Sequence, residues 1–581
     1  MLEPSRLNDG TNAMAKTSEI PVVASGRQAL LERMSDSFEK HPTLWICILL
    51  LLGFAVRLWR ASGTYLNPDE AMHLLAANQT SWGLAYQASL GLAHPPLLVL
   101  LLHAFRFLGT SEIVLRMPSI LTGTAFCWLS YKWASTLFGR TVFGRSVFGR
   151  SVAWIVFIFT LFLPSTIDLS IEVRQYALLL AFAMASGYLF ERALDTNSAS
   201  AMLFSGVCLW LAICSHYSAL LFAAAMGCYA VFRMLTARPS LKVLALWVAG
   251  QVVAIGLGAF FYVSHISRLS QSYSGSSIMQ SWGSPYLPNS YYVPGKINPL
   301  LFIFARTGGV FQFAFAQLVV GDLAYAMFVA GIILVLRSPA PGRVSSRQLG
   351  LLLLLPFVVA WAAALTRTYP YGGTRHSAYL LPFALAGASF ALAHLLKYRL
   401  ASGIAVAIAV AVLCNLFPAH RQPYISRADQ SSARMNAAVE FMRHQIAPDE
   451  IIFADSQTGI LVEHYLCDQQ RLAQPVSEDH SMPGFISFDC GGHRVVVTDW
   501  KTSFFTPRSF YDQWQTLTSK YDLQPGTRVW IAQMGWSTDL AAELEKFPEF
   551  HLAPHFFGNR IQIFDLTVGQ SMPDPKLLPT S

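Results

Sequence analysis

The sequence predicts a polytopic α-helical membrane protein with about eleven transmembrane helices and a C-terminal α/β domain. Three observations predict it. Hydrophobic residues make up 54% of the 581 positions and charged residues only 13%, about half the charged share of a soluble protein. Apolar runs long enough to cross a bilayer, about 20 residues each, recur from Thr43 to Phe417. After Pro418 the composition becomes that of a soluble domain with short strand-like runs. The expected division is a cytoplasmic tail over 1–42, a membrane domain over 43–418 with a first outer loop over 61–116, and an extracytoplasmic α/β domain over 419–581.

The tail is polar and mixed in charge. It lacks the short apolar core and small-residue cleavage site of a secretory signal, so Thr43–Trp59 reads as a retained first helix. Ten further spans follow. They are Met117–Leu137, Val152–Asp168, Gln175–Phe190, Ala201–Ser215, Ser218–Leu235, Val243–His265, Leu318–Leu336, Leu349–Leu365, His376–Leu396 and Ala401–Phe417. Pro95–Leu108 is apolar but only about 14 residues long, too short to cross comfortably. With it on the outer surface, the loops carrying Arg140, Arg145 and Arg150, then Arg192, then Arg233, Arg238 and Lys242, then Arg337, Arg343 and Arg347, then Lys397 and Arg399 all share the side of the N-terminus. Basic loops mark the cytoplasmic side. Ala61–Phe105 carries no Lys or Arg, as an outer loop should, and an odd number of spans puts the C-terminal domain outside.

The net charge of +8 is spread over these loops, with no run suggesting a nucleic-acid patch. A threefold FGR repeat between Phe138 and Val152 reads as a local expansion of a cytoplasmic loop. The outer loop Ile266–Asn298 carries Tyr273, Trp282, Tyr286, Tyr291 and Tyr292, suited to an interfacial aromatic belt or to stacking on a sugar. In the last domain, Glu450–Asp455, Arg494–Asp499, Arg528–Gln533 and Arg560–Asp565 read as buried strands, with helices such as Asp429–Gln445 and Thr538–Lys546 between them. Six of the eight cysteines lie in apolar segments. Cys467 and Cys490 are the pair after Pro418, and in an oxidising compartment such a pair favours a disulfide.

Chemistry-bearing residues gather at the outer helix ends. Asp69 and Glu70 follow Asn67-Pro68 with no Lys or Arg nearby in the sequence. They fit a solvated turn, a metal ligand, or a base that takes a proton from a hydroxyl. His94 precedes Pro95-Pro96, and Arg116 opens the second span. Glu172, Arg174 and Tyr176 lie in IEVRQY, His216 and Tyr217 end another span, and Arg375 and His376 follow YPYGG. Singly each is an ordinary interfacial residue or cap. Together they are costly ionisable groups near one membrane face, which tend to mark function. Arginine forks grip phosphate in pairs of hydrogen bonds.

The ordered segments NPDEAMH, HPPLLVLLL, SEIVLRMPSILTG, SIEVRQYALLL, LAICSHYSALL and GGTRHSAYLLPF resemble the GT-C membrane glycosyltransferases: the protein O-mannosyltransferase and lipid A aminoarabinose transferase relatives, including bacterial members of the family 39 kind. The resemblance runs from Trp45 to Leu396. It implies a polyprenyl-phosphate sugar donor, an extracytoplasmic site in a cell inner membrane, inversion at the anomeric carbon, and Asp69 as base with Glu70 beside it. Arg116, Glu172, Arg174, His216, Tyr217, Arg375 and His376 are the expected contacts to donor phosphate or sugar, with His94 supporting the loop. The acceptor is a glycan, lipid or protein, and a divalent metal is left open. The Lys that follows the HPPL-type motif in the eukaryotic mannosyltransferases is absent, which argues against carrying over mannose or a protein acceptor. The competing reading is a transporter or lipid flippase, but no inverted repeat of the kind secondary transporters carry is visible.

Overall fold

The computed structural model describes residues 26–139, 147–268, 290–338, 344–418, 430–467, 476–499, 502, 504–536, 540–547 and 552–569. Residues 140–146 of the FGR repeat (Arg140 and Arg145 among them), Arg343, and Tyr273, Trp282 and Tyr286 lie outside them. An N-terminal helix, α1 (Gly26–Lys40), precedes the first apolar helix, α2 (Pro42–Ala61). Then come α3 (Pro68–Ala77), α4 (Trp82–Ser89) and α5 (Leu97–Phe105), which form the first loop. The bundle continues with α6 (Glu112–Phe138), α7 (Val147–Phe162), α8 (Pro164–Ile171), α9 (Tyr176–Thr196), α10 (Ala199–Ser215), α11 (Ser218–Ala237) and α12 (Leu241–Phe261). Further helices span Pro299–Phe315, Leu318–Arg337, Ser346–Leu365, Leu381–Leu395 and Leu400–Leu416.

Among the described residues, eight helices are long and apolar enough to cross a membrane, or nine with the bent α7–α8 pair. The remaining two predicted spans, α10 and Leu400–Leu416, are helices of 17 residues, about 25 Å long at 1.5 Å per residue. Two features differ from the sequence expectation. The predicted span Val152–Asp168 is broken by a 52° bend between α7 and α8, because Pro164 cannot continue the helix. The carbonyls freed at the break are met by buried Arg57, which donates to Thr160 and Leu161 at 3.2 and 3.0 Å and to Gly53 at 3.1 Å. The second is the apolar helix Pro299–Phe315, which was not expected. Its Thr307 bonds the Tyr371 hydroxyl at 2.7 Å, and Ser165 donates to its Ala314 carbonyl at 2.7 Å. At 17 residues it is as long as α10 and Leu400–Leu416. Arg233, grouped above with the orientation charges, is buried and paired with Glu191 at 3.2 Å.

The C-terminal domain holds a six-stranded sheet of β1 (Ile451–Ala454), β2 (Phe485–Cys490), β3 (His493–Thr498), β4 (Arg528–Met534), β5 (His555–Phe556) and β6 (Ile561–Thr567), in the order β2-β3-β1-β4-β6-β5. Central β1 runs parallel to β3 and β4, and the outer pairs are antiparallel. All four predicted strands are present, as β1, β3, β4 and β6. The unpredicted β2 joins β3 through Gly491-Gly492, both at positive φ, where a two-residue hairpin turn demands glycine. Helix Ser456–Tyr465 follows β1.

The domain is docked on the first loop. Tyr65 N–H donates to the Gln430 carbonyl at 3.0 Å, Leu66 N–H to the Tyr465 hydroxyl at 2.7 Å, and that hydroxyl to Glu112 at 3.2 Å. One apolar cluster runs from Tyr65, Leu98 and Leu102 into Met435, Ile452 and Trp530. Cys467, just past Ser456–Tyr465, is joined to Cys490 at the end of β2, 23 residues on. A bond closing a loop of that size is worth about 3 kcal/mol on the chain-entropy view. The double variant Cys467→Ser/Cys490→Ser should therefore unfold in this domain at clearly lower denaturant. Alkylation of both thiols in denatured, unreduced wild-type protein would show that the bond does not form.

Candidate functional site

The site begins with the start of α3. Asn67 caps the helix and Pro68 takes its first position, where the missing N–H costs nothing. The Asn67 side chain accepts from Glu70 N–H at 3.0 Å, and Glu70 Oε2 accepts from Asn67 N–H at 3.0 Å. This reciprocal capping box fixes two neighbouring carboxylates in different directions.

Glu70 faces Arg116. The pair is bidentate, with both N–H···O distances 2.8 Å, and Arg116 and Glu70 are 1% and 0% exposed. Glu70 Oε1 also accepts from Val173 N–H at 2.8 Å. Arg116 gives its remaining donors to Ala61, Thr64 and Tyr65. Both residues were expected at the reacting centre, Glu70 as a catalytic carboxylate and Arg116 as a donor contact. The structure corrects this. Every donor of Arg116 is spent on protein, and Glu70 is bound into the clamp that ties α3, the α2 end and the α8–α9 loop together.

Asp69 faces the opposite way. Arg174, in the loop between α8 and α9, meets its Oδ2 at 2.5 Å, and Arg375, which opens a 3₁₀ turn over Arg375–Leu380, meets the same oxygen at 2.7 Å. Burial raises the Asp69 carboxyl, but Arg174 and Arg375 outweigh it and hold it below the ordinary aspartate range. Arg174 Nε is buried without a hydrogen-bond partner. Tyr176 lies beneath both guanidiniums, each 5.9 Å from its ring centre.

Beside this cage, four histidines from four segments form a row. His73 stacks on His94 at 5.8 Å, His94 on His216 at 5.4 Å, and His216 lies 6.2 Å from His376. Tyr176 is 5.0 Å from His216, and Tyr369 is 6.2 Å from His376. Burial, and then Arg174, lowers His73 to about 4 and His216 to about 3, and carries His94 well below its usual value. These rings are neutral at physiological pH, so the two arginines carry the positive charge. His73 Nδ1 contacts the Asp69 carbonyl at 2.6 Å, while its Nε2 is buried without a partner. Glu172 stands close by, and burial, opposed by Arg375, pushes its carboxyl up to about 8.

Of the expected residues, Asp69, Glu172, Arg174, His216, Arg375 and His376 converge here. His94 does too, as part of the row rather than as loop support alone. Tyr217 does not: its hydroxyl pairs with His265, whose Nε2 bonds the Leu92 carbonyl at 2.7 Å. His73, Tyr176 as a ring platform, and Tyr369 add to the set. His73 is one helical turn after Asp69, and the Asn67–Glu70 capping spacing was the signal that a helix starts there. Among the described residues no group of three or more His, Cys, Asp or Glu is placed to hold a metal ion. The donor set agrees: two guanidiniums occupy Asp69 and one saturates Glu70, so the cage does not fit a divalent cation.

The sequence pattern of the dolichyl-phosphate-mannose-protein mannosyltransferase family matches residues 93–261, a segment that contributes His94, Arg116, Arg174 and His216. The chain resembles the GT-C membrane glycosyltransferases. No curated protein sequence is matched. Among solved structures, ArnT from Cupriavidus metallidurans bound to undecaprenyl phosphate is 14% identical, with 92% of this chain and 100% of that one covered at a TM-score of 0.47. The oligosaccharyltransferase AglB from Archaeoglobus fulgidus, in complex with an inhibitory peptide and a dolichol-phosphate, is 11% identical, with 85% and 70% covered at a TM-score of 0.44. In this GT-C-like chain the cage lies where α9 begins and α10 ends, opposite the basic loops that follow α9 and α11.

Proposed function

We propose that the protein is a glycosyltransferase that moves a sugar from a polyprenyl-phosphate donor to an acceptor hydroxyl on the extracytoplasmic membrane face, with inversion. The observation that carries this reading is the convergence of Arg174 and Arg375 on one buried carboxylate at the end of an apolar bundle. Two guanidiniums around a single carboxylate leave an excess of positive charge, and the donor supplies an anion with an apolar tail. As the phosphate enters, it competes with Asp69 for the arginines. Asp69 then loses the partners that depress its pKa and becomes a better base. It takes the proton of the acceptor hydroxyl, the oxygen bonds the anomeric carbon, and the carbon–oxygen bond to the phosphate breaks. The lipid phosphate leaves with the electron pair, its growing charge met by the arginines. The neutral histidines, Tyr176 and Tyr369 supply hydrogen bonds and ring faces to the sugar. The opposite placement of cage and basic loops supports an extracytoplasmic site, as does the Cys467–Cys490 bond.

The test is to incubate purified protein with polyprenyl phosphates carrying radiolabelled sugars and with candidate acceptors. Label should move from lipid to acceptor with release of lipid phosphate. A transporter would leave the sugar–phosphate bond intact.

Glu172 gives this reading a pH signature. Below about pH 8 it is protonated and adds no charge to the cage. Above that value its ionisation adds a negative charge where the anionic donor binds. KM for the donor should rise severalfold between pH 7.5 and 9, with kcat changing less. Glu172→Gln should remove the rise. A wild-type profile retained in Glu172→Gln would assign the effect to another group.

A further inference from the structure

We infer that His265 is a positioning residue for the donor's sugar: with Tyr217 it forms a latch that sets the spacing of His94 and His216, and so selects which sugar the histidine row accepts. This rests on the transferase reading and names a determinant of its donor specificity. The latch starts in an irregular turn. Helix α12 is regular to Phe261, and its end widens into a π turn over Tyr262–Ile266. Such turns are rare and cluster at functional sites. This one faces two ways. Tyr262 and Val263 are 61% and 70% exposed, while His265 is 1% exposed and turned into the protein.

Both imidazole nitrogens of His265 are engaged. Nε2 contacts the Leu92 carbonyl at 2.7 Å, and Nδ1 contacts the Tyr217 hydroxyl. A carbonyl only accepts, so Nε2 carries the proton and Nδ1 accepts from Tyr217. The ring therefore connects two joints of the chain. Leu92 lies two residues before His94, in the turn between α4 and α5. Tyr217 follows His216, whose extended backbone separates α10 from α11. Neither histidine sits inside a helix, so tertiary contacts must set how far apart they stand. The two rings stack at 5.4 Å. Apolar packing would hold the joints together without specifying their separation. A hydroxyl–imidazole–carbonyl chain fixes both distance and direction.

The row begins next to the phosphate grip. Tyr176, beneath the guanidiniums of Arg174 and Arg375, is 5.0 Å from His216. A shift of His94 against His216 would change the partners of the sugar and leave the two arginines in place. The latch should therefore govern the sugar and not the phosphate.

The experiment uses the full chain in lipid nanodiscs. Calorimetry follows the binding of undecaprenyl phosphate, and of undecaprenyl phosphate carrying glucose, mannose, galactose or arabinose. The wild type should prefer one of the sugar-bearing lipids. His265→Phe and Tyr217→Phe should each weaken that lipid about tenfold and bring the sugar-bearing lipids within about threefold of one another, while leaving undecaprenyl phosphate within about twofold. His265→Gln, whose amide can donate to Leu92 and accept from Tyr217, should restore most of the preference. The double variant His265→Phe/Tyr217→Phe should be no weaker than either single one, because the two residues act as a unit. Equal weakening of undecaprenyl phosphate and the sugar-bearing lipids would make the pair a general support of the fold. Unchanged preference in both single variants would leave it no part in sugar recognition. Either result overturns the inference. If the wild type binds undecaprenyl phosphate but shows no preference among the sugars, the inference falls and the transferase reading stands. If it binds no undecaprenyl phosphate, the transferase reading falls and the inference with it.

Discussion

Asp69→Asn should lower turnover by about 10²–10⁴-fold, the usual contribution of a positioned general base, while leaving the binding of polyprenyl phosphate intact or tighter. The two halves of this expectation come from one geometry. Asparagine keeps the size of the side chain and its hydrogen-bonding capacity but cannot accept the acceptor proton. It also withdraws the negative charge that now holds Arg174 and Arg375, so the incoming phosphate no longer competes with a carboxylate for them. A merely structural role would give the opposite pattern, with loss of the anionic partner loosening the cage and weakening donor binding. The measurement is kcat at saturating donor and acceptor together with a direct titration of undecaprenyl phosphate. Near-normal kcat in folded Asp69→Asn would overturn the assignment and direct attention to Glu172.

The bundle was legible because hydropathy reports directly on what a bilayer tolerates. All eleven predicted spans coincide with helices or, for Val152–Asp168, with a bent pair. What the sequence hid was backbone geometry. Pro164 was visible, but nothing local showed that Arg57, more than a hundred residues earlier, would meet the carbonyls it frees. Pro299–Phe315 is apolar but short, and its ties to Tyr371 and Ser165 are tertiary contacts that no local pattern announces. Strand β2 was missed although Gly491-Gly492 marked its turn.

What was legible is a set of residue types at the helix ends, and Asp69, Arg174, His216, Arg375 and His376 from that set lie together in the structure. Its division of labour was not legible. Asp69 and Glu70 are adjacent in sequence, and only the direction each takes from the capping box separates the carboxylate facing the cage from the one holding the scaffold. Arg116 and Arg174 are equally good phosphate ligands on paper. The difference is that the donors of Arg116 are already spent on Glu70 and on the carbonyls of Ala61, Thr64 and Tyr65.

The clamp itself should therefore respond as structure and not as chemistry. Removing one partner of a buried ion pair costs about 3–5 kcal/mol, because the other charge is left without compensation. Glu70→Gln keeps the shape of the side chain but strands the Arg116 guanidinium. Arg116→Met strands Glu70 and also removes the guanidinium donors to the Ala61, Thr64 and Tyr65 carbonyls. Both variants should show a large fall in the thermal midpoint and in the yield of folded protein. Arg116→Lys should rescue little, since one ammonium cannot reproduce a bidentate fork together with the carbonyl contacts. Whatever folded Glu70→Gln protein is recovered should also lose turnover, because Glu70 holds Val173 N–H next to Arg174 and so sets where that arginine meets Asp69. Stability and activity should fall together. If Glu70 were the base instead, Glu70→Gln would keep the wild-type thermal midpoint while turnover collapsed. That single outcome would exchange the roles of the two carboxylates.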